Sequence, residues 1–116
     1  MTITHINILN HLRQFSNYDE PINSRSIEAE FNINKRVLAD VVREINFNSK
    51  LHKLGYMIGS KSSGYFFVQR EEEATHAINA IRSRALKLLD RVRDMEELKE
   101  SIFNAPEKNL FGEVTQ

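Results

Sequence analysis

The sequence predicts a mainly α protein with one small β-hairpin: a compact helical domain followed by a long coiled-coil-like helix. Three observations predict it. Residues 3–45 contain three segments whose apolar positions recur at helical spacing. The stretch GYMIGSKSSGYFFV, residues 55–68, sets two aromatic-rich runs around a short polar turn. Residues 71–102 hold a 3.5-residue apolar repeat over four heptads, the period of a coiled coil.

The first helix is expected over residues 3–16, where Ile8, Leu9, Leu12 and Phe15 share a face and Thr2 or Thr4 can cap the start. SNYDEP, residues 16–21, breaks it with turn residues and a proline. Asn23 can cap a second, short helix through Phe31, with Ile22 and Ile27 at the spacing of a hydrophobic staple. Asn32 tolerates the left-handed backbone that a tight turn between helices needs, and Asn34 can cap the next helix. That third helix, KRVLADVVREI, puts Val37, Leu38, Val41, Val42 and Ile45 within an arc of about 140°. Arg36, Ala39, Asp40 and Arg43 occupy the other side. NFNSKLHK is read as a polar connection to the hairpin, with Lys61, Ser62 and Ser63 at the tip and Gly64 supplying backbone freedom.

The last helix opens with Glu71, Glu72 and Glu73, favourable at an amino-terminal dipole, and is expected to end before Pro106. Its core positions are Ala74, Ile78, Ile81, Ala85, Leu88, Val92, Met95, Lys99 and Ile102; all but Lys99 are apolar. A homodimer through residues 71–102 is the expected outcome, with Ile78, Ile81, Ala85, Leu88, Val92 and Met95 carrying the seam. Orientation stays open. Arg91 and Glu96 would attract in a parallel pair, but Leu89 and Leu98 widen the apolar face and could instead dock on the first domain or build a larger bundle.

Composition excludes several functions. No apolar run approaches the ~20 residues that span a bilayer, so no membrane partner is expected. The start, MTITHINILNHL, lacks the basic and apolar blocks of a secretory signal, and a cytoplasmic protein is expected. The chain has no cysteine, which removes disulfides, thiolate zinc sites and cysteine nucleophiles. His5, His11, His52 and His76 lack metal-ligand spacing and are read as surface residues, so no metal or cofactor is expected. With no P-loop, nucleophile elbow or His-Glu-x-x-His segment, the chain is not expected to be an enzyme. The 16 basic and 16 acidic residues cancel, so only local charge can attract nucleic acid.

The segments INSRSIEAEFNINKRVLADVVREI and LGYMIGSKSSGYFFV together resemble the winged helix-turn-helix family, most closely biotin-operon repressor amino termini and small phage-encoded proteins. Gly55, Tyr56 and Ile58 match the first wing strand, Gly64 and Tyr65 the second. Asn32 stands where glycine is common, and NFNSKLHK is a few residues longer than the usual connection. The resemblance, carried by residues 22–68, implies a winged helix-turn-helix DNA-binding domain over residues 1–69, while the heptad pattern gives a dimerisation helix over 70–103 and the short, partly polar end a flexible tail over 104–116. It also implies that the third helix enters the major groove of double-stranded DNA while the hairpin approaches the backbone, in transcription regulation or replication.

Residue chemistry agrees with that placement. Arg36 and Arg43 can read guanine, and Ala39 between them permits close approach or contact with a thymine methyl. Asn34 and Lys35 would lie near phosphates or first bases; Lys61, Ser62 and Ser63 suit phosphate oxygens. Asp40 is expected to steer an arginine, although Arg36 and Arg43 could equally pair with Asp40 or Glu44 on an ordinary solvated face. Tyr56, Ile58, Tyr65 and Phe67 are expected to anchor the hairpin to the helices. In the tail, EKNLFGE resembles peptides that bind the bacterial sliding clamp, with Leu110 and Phe111 as anchors and Glu107 where glutamine is preferred. The rival reading is therefore an interaction module of a replication complex, a winged domain that no longer reads DNA.

Overall fold

The computed structural model describes residues 1–104. The elements run α1 (Ile3–Phe15), α2 (Ser24–Phe31), α3 (Lys35–His52), β1 (Ile58–Lys61), β2 (Gly64–Phe67) and α4 (Glu71–Phe103). The chain forms two compact units, residues 1–80 and the segment from Ile81 onward.

Each of the first three helices starts on a side-chain oxygen that accepts an otherwise unpaired backbone N–H. Thr2 accepts from His5, Asn23 from Arg25 and Asn34 from Val37. Asn32 ends α2 in the left-handed conformation, φ 53°, and its N–H returns to Glu28 O. The asparagine-rich turn is thus two helix caps placed back to back.

Helix α3 continues to His52, about two turns past Ile45. NFNSKLH is helical, not a connection. Its Asn46 and Ser49 side chains bond the backbones of Ile58 and Tyr56, and neither glycine nor proline interrupts it before the left-handed cap at Lys53, φ 53°. The long connection that set this chain apart from its resemblance is therefore mostly helix.

Ile8, Leu9 and Leu12 of α1, Ile27 of α2, Leu38, Val41, Val42 and Ile45 of α3 and Ile58 of β1 form the core. Fully burying one such side chain contributes about 1.5–3 kcal/mol, and these nine hold the three helices and hairpin together. Three positions depart from the expected pattern. Phe15 is 60% exposed, while His5 is buried with its Nε2 toward the Glu44 carboxylate and its Nδ1 2.6 Å from the Thr2 hydroxyl. Val37, at the edge of the apolar arc of α3, is also exposed.

The hairpin pairs Ile58 with Phe67, Gly59 with Phe66, Ser60 with Tyr65 and Lys61 with Gly64. Both outer edges are occupied, which removes the unpaired row that makes a free strand edge a hazard. On β1, Asn46 and Ser49 of α3 bond the backbones of Ile58 and Tyr56. On β2, Ile22 exchanges two backbone hydrogen bonds with Tyr65, and Ser16 Oγ accepts from Phe67 N. Its two faces are unequal. Ile58 is buried and Tyr56, Tyr65 and Phe67 are half-buried against the helical core. Phe66, on the opposite face, is the most deeply buried aromatic of the hairpin, closed by the edge of the Tyr18 ring at 5.2 Å and by the bare Cα of Gly59.

The amino-terminal turns of α4 belong to the first unit. Glu73 and Ala77 are buried, and the Glu73 carboxylate accepts from the backbone N–H groups of Gln69 and Arg70 and from Arg70 Nε. In the second unit, every described residue from Ile81 to Asn104 is exposed, the apolar ones included. Among the described residues no helix is long and apolar enough to cross a membrane.

Candidate nucleic-acid interface

The core turns one side of α3 inward through Leu38, Val41, Val42 and Ile45, and the helical period then presents Lys35, Arg36 and Arg43 to solvent. Ala39 and Asp40, between them, are half-buried. Arg36 and Arg43 lie about 10 Å apart along the axis, at 1.5 Å per residue. That fits within a major groove about 12 Å wide.

The helix start is already in use. Asn34 Oδ1 accepts from Val37 N at 2.8 Å, so only its amide N–H₂ is left to face a ligand. Arg43 donates to the Asp40 carboxylate, a pair that fits both a steering acid and an ordinary solvated face. A fork held this way keeps donors free for a second acceptor. Tyr65 joins the cluster from β2: its phenol is held above the ordinary range, first by burial and then by Glu28, with Arg43 opposing. The hairpin and α3 are thus electrostatic neighbours at Arg43.

The tip divides differently. Ser62 and Ser63 form the exposed two-residue turn. Lys61 turns back: its ammonium donates to Tyr18 O at 2.9 Å and lies 3.8 Å from the Tyr18 ring centroid. It sits beside a hollow of about 240 Å³ between Ser60, Lys61 and Phe66 on the hairpin and His76, Ala77 and Ala80 on α4, floored by Tyr18. This is smaller than the ~300–1,000 Å³ typical of ligand pockets. Among the described residues, no group of three His, Asp or Glu is placed to hold a metal ion.

Sequence reasoning missed two residues on the same stripe. Because α3 runs on to His52, Phe47 and Lys50 follow Arg36, Asp40 and Arg43 at spacings of three and four. Phe47 is 60% exposed and Lys50 is exposed. The available signal was the lack of any glycine or proline between Ile45 and Gly55.

Of the seam residues on α4, Ile78 is 44% exposed and Ile81, Leu88, Val92 and Met95 are more so; Ala85 is also exposed. Leu110 and Phe111 lie outside the described residues.

In comparisons with known protein families, curated proteins and solved structures, nothing matches this chain.

Proposed function

We propose that this chain is a double-stranded DNA-binding protein of the winged helix-turn-helix kind, a cytoplasmic phage or mobile-element protein that acts as a homodimer in transcription regulation or replication. One observation supports this reading above others. The outward stripe of α3 carries Arg36, Ala39 and Arg43, two guanidiniums with a small residue between them, on a helix anchored by its opposite side. In this reading α3 enters the major groove, Ser62 and Ser63 approach a phosphate, and α4 pairs two copies on a two-part site. Few cations face outward, so affinity is modest and falls with salt at a slope of about −3 to −4 in log–log form.

The test is fluorescence polarisation on fragments of the host genome at low and moderate salt. Arg36→Ala/Arg43→Ala should weaken the preferred fragment by roughly 10- to 100-fold, since each bidentate base contact discriminates by about 1–3 kcal/mol. Equal, unselective binding by both proteins defeats the proposal.

A second reading has its own support. Phe47 and Leu51 lie four residues apart at the end of α3 and Leu54 follows its left-handed cap; each is at least half exposed, an apolar patch of the kind that marks a protein-binding site. With Lys61 committed to Tyr18, the domain then serves as an interaction module of a replication complex, with Leu110 and Phe111 as a sliding-clamp anchor. Retention of purified clamp by wild type but not by Leu110→Ala/Phe111→Ala, together with no DNA selectivity, would favour it.

A further inference from the structure

We infer that α4 pairs with a second copy of this chain as a parallel, in-register, two-stranded coiled coil. This rests on the homodimer reading and adds the orientation that the heptad pattern alone leaves open.

The exposed stripe requires an apolar cover, and its layers suit an identical stripe. With Ile78, Ala85, Val92 and Lys99 at a, and Ile81, Leu88, Met95 and Ile102 at d, the β-branched Ile78 and Val92 occupy the a layers that accept them in parallel pairs. Leu88 and Met95, neither of them branched at Cβ, fill the central d layers between Ile81 and Ile102. All four are more than two-fifths exposed within one chain.

The flanking positions then decide direction. In a parallel pair each g residue faces the e residue five places on in the other copy. Arg91 meets the partner's Glu96, twice by symmetry. Leu98 meets the partner's Phe103; at 58% and 76% exposure these apolar side chains are left uncovered by the other described residues. Arg84 faces the partner's Leu89, whose side chain its stem can cover.

An antiparallel pair of the same overlap, with Ile78 against the partner's Ile102, also gains a charge pair, Arg82 with the partner's Glu96. It sets Arg91 directly against the partner's Arg91 and stacks Lys99 on the partner's Ile81. Like charges at close range and a lone ammonium in an apolar layer both oppose it. The parallel pair also brings two like charges together, Lys99 and its own copy, but each long stem carries its ammonium out of the layer to water. A lone polar a position of this kind fixes register and limits the assembly to two strands at a cost in stability. Both chains then enter the pair from the same end, as two DNA half-sites a short distance apart require.

The native chain has no cysteine, so an introduced thiol reports alone. Full-length Ile102→Cys, oxidised in solution, should cross-link to a covalent dimer in high yield. In the antiparallel pair the two thiols lie about 36 Å apart along the axis, and a disulfide needs Cα atoms within about 7 Å. A mixture of Ile78→Cys and Ile102→Cys chains should give only like-with-like products. Unlike products from the mixture, with Ile102→Cys alone uncrosslinked, overturn the orientation while leaving the dimer intact. A monomeric wild-type mass by light scattering removes the dimer reading itself, and a trimeric or tetrameric mass overturns the two-stranded state. Lys99→Leu should add higher-mass species; a strictly dimeric Lys99→Leu removes that lysine from the argument.

Discussion

The side-chain amide of Asn46 grips the backbone of Ile58 from both sides, donating Nδ2–H to Ile58 O at 3.0 Å and accepting Ile58 N–H at Oδ1 at 2.8 Å. An asparagine on α3 thus acts as the missing neighbour strand of β1. One turn along, Ser49 Oγ repeats the arrangement at Tyr56, donating to its O at 2.6 Å and accepting from its N at 3.2 Å. The hairpin is held against the helix that carries the candidate interface by side chains that copy a strand edge.

Asn46→Ala should therefore destabilise the fold by about 2 kcal/mol, because it leaves a part-buried N–H and C=O of Ile58 without partners. Urea unfolding checks this. Asn46→Asp keeps the acceptor and loses the donor, so it should fall between wild type and Asn46→Ala near neutral pH. A midpoint unmoved in Asn46→Ala would show that the clamp contributes nothing.

Gly64 and Gly55 should rank very differently. At Gly64, φ +146°, an added Cβ would lie 2.1 Å from Ile22 O, against backbone that forms the bridge to Tyr65. Gly64→Ala should cost more than about 3 kcal/mol, combining strain with loss of the bridge. Gly55, φ +82°, has nothing within 4 Å. Gly55→Ala should cost only the left-handed penalty, about 1–2 kcal/mol. Thermal melts of the two variants give the order, and equal losses would contradict it.

Acid should weaken the start of α4. The backbone N–H of Gln69, and then Arg70 through its side chain and N–H, hold the Glu73 carboxyl below its usual range while burial opposes them. A carboxyl depressed in the folded state adds stability that is complete above its unfolded value and is lost as pH falls through the folded one. The Glu73→Gln variant should be less stable than wild type at pH 7, and the gap should narrow as pH drops below about 4.5. Unfolding curves at several pH values test this; a gap that is constant with pH would mean the charge is irrelevant.

Two charge changes separate structural from DNA-facing roles. Asp40→Asn removes a carboxylate beside Arg43, so DNA affinity should rise a few-fold, while stability changes by under about 0.5 kcal/mol for an exposed pair. Lys61→Met removes both the bond to Tyr18 O and the ammonium over its ring, so stability should fall by about 1–2 kcal/mol with little change in DNA affinity. The opposite pattern for Lys61 would return it to the interface.

The caps were legible residue by residue. Thr2, Asn23, Asn32 and Asn34 act within a few positions along the chain, and local hydrogen bonding leaves them few other uses. The inward face of α3 was legible too, since Leu38, Val41, Val42 and Ile45 obey one period. The end of α3 was not. NFNSKLH looks like a loop because its asparagines and serine favour turns in isolation, and only the backbone brought in from residues 56 and 58 gives Asn46 and Ser49 partners in a helix. Phe47 and Lys50 were missed with it.

The sequence by itself determined the order of elements, the capped turn between α2 and α3, the two-faced character of α3 and the apolar stripe of α4, all set by contacts within a turn or two of chain. Tertiary structure decided which partners the candidate cations meet. Lys61 lies 43 positions from Tyr18 in the chain, yet its ammonium is bound there, and Arg43 gains Tyr65 as an electrostatic neighbour. The physical reason is that charge and hydrogen-bond partners act through space over a few ångströms, a distance that residue spacing encodes within a helix but not across a fold.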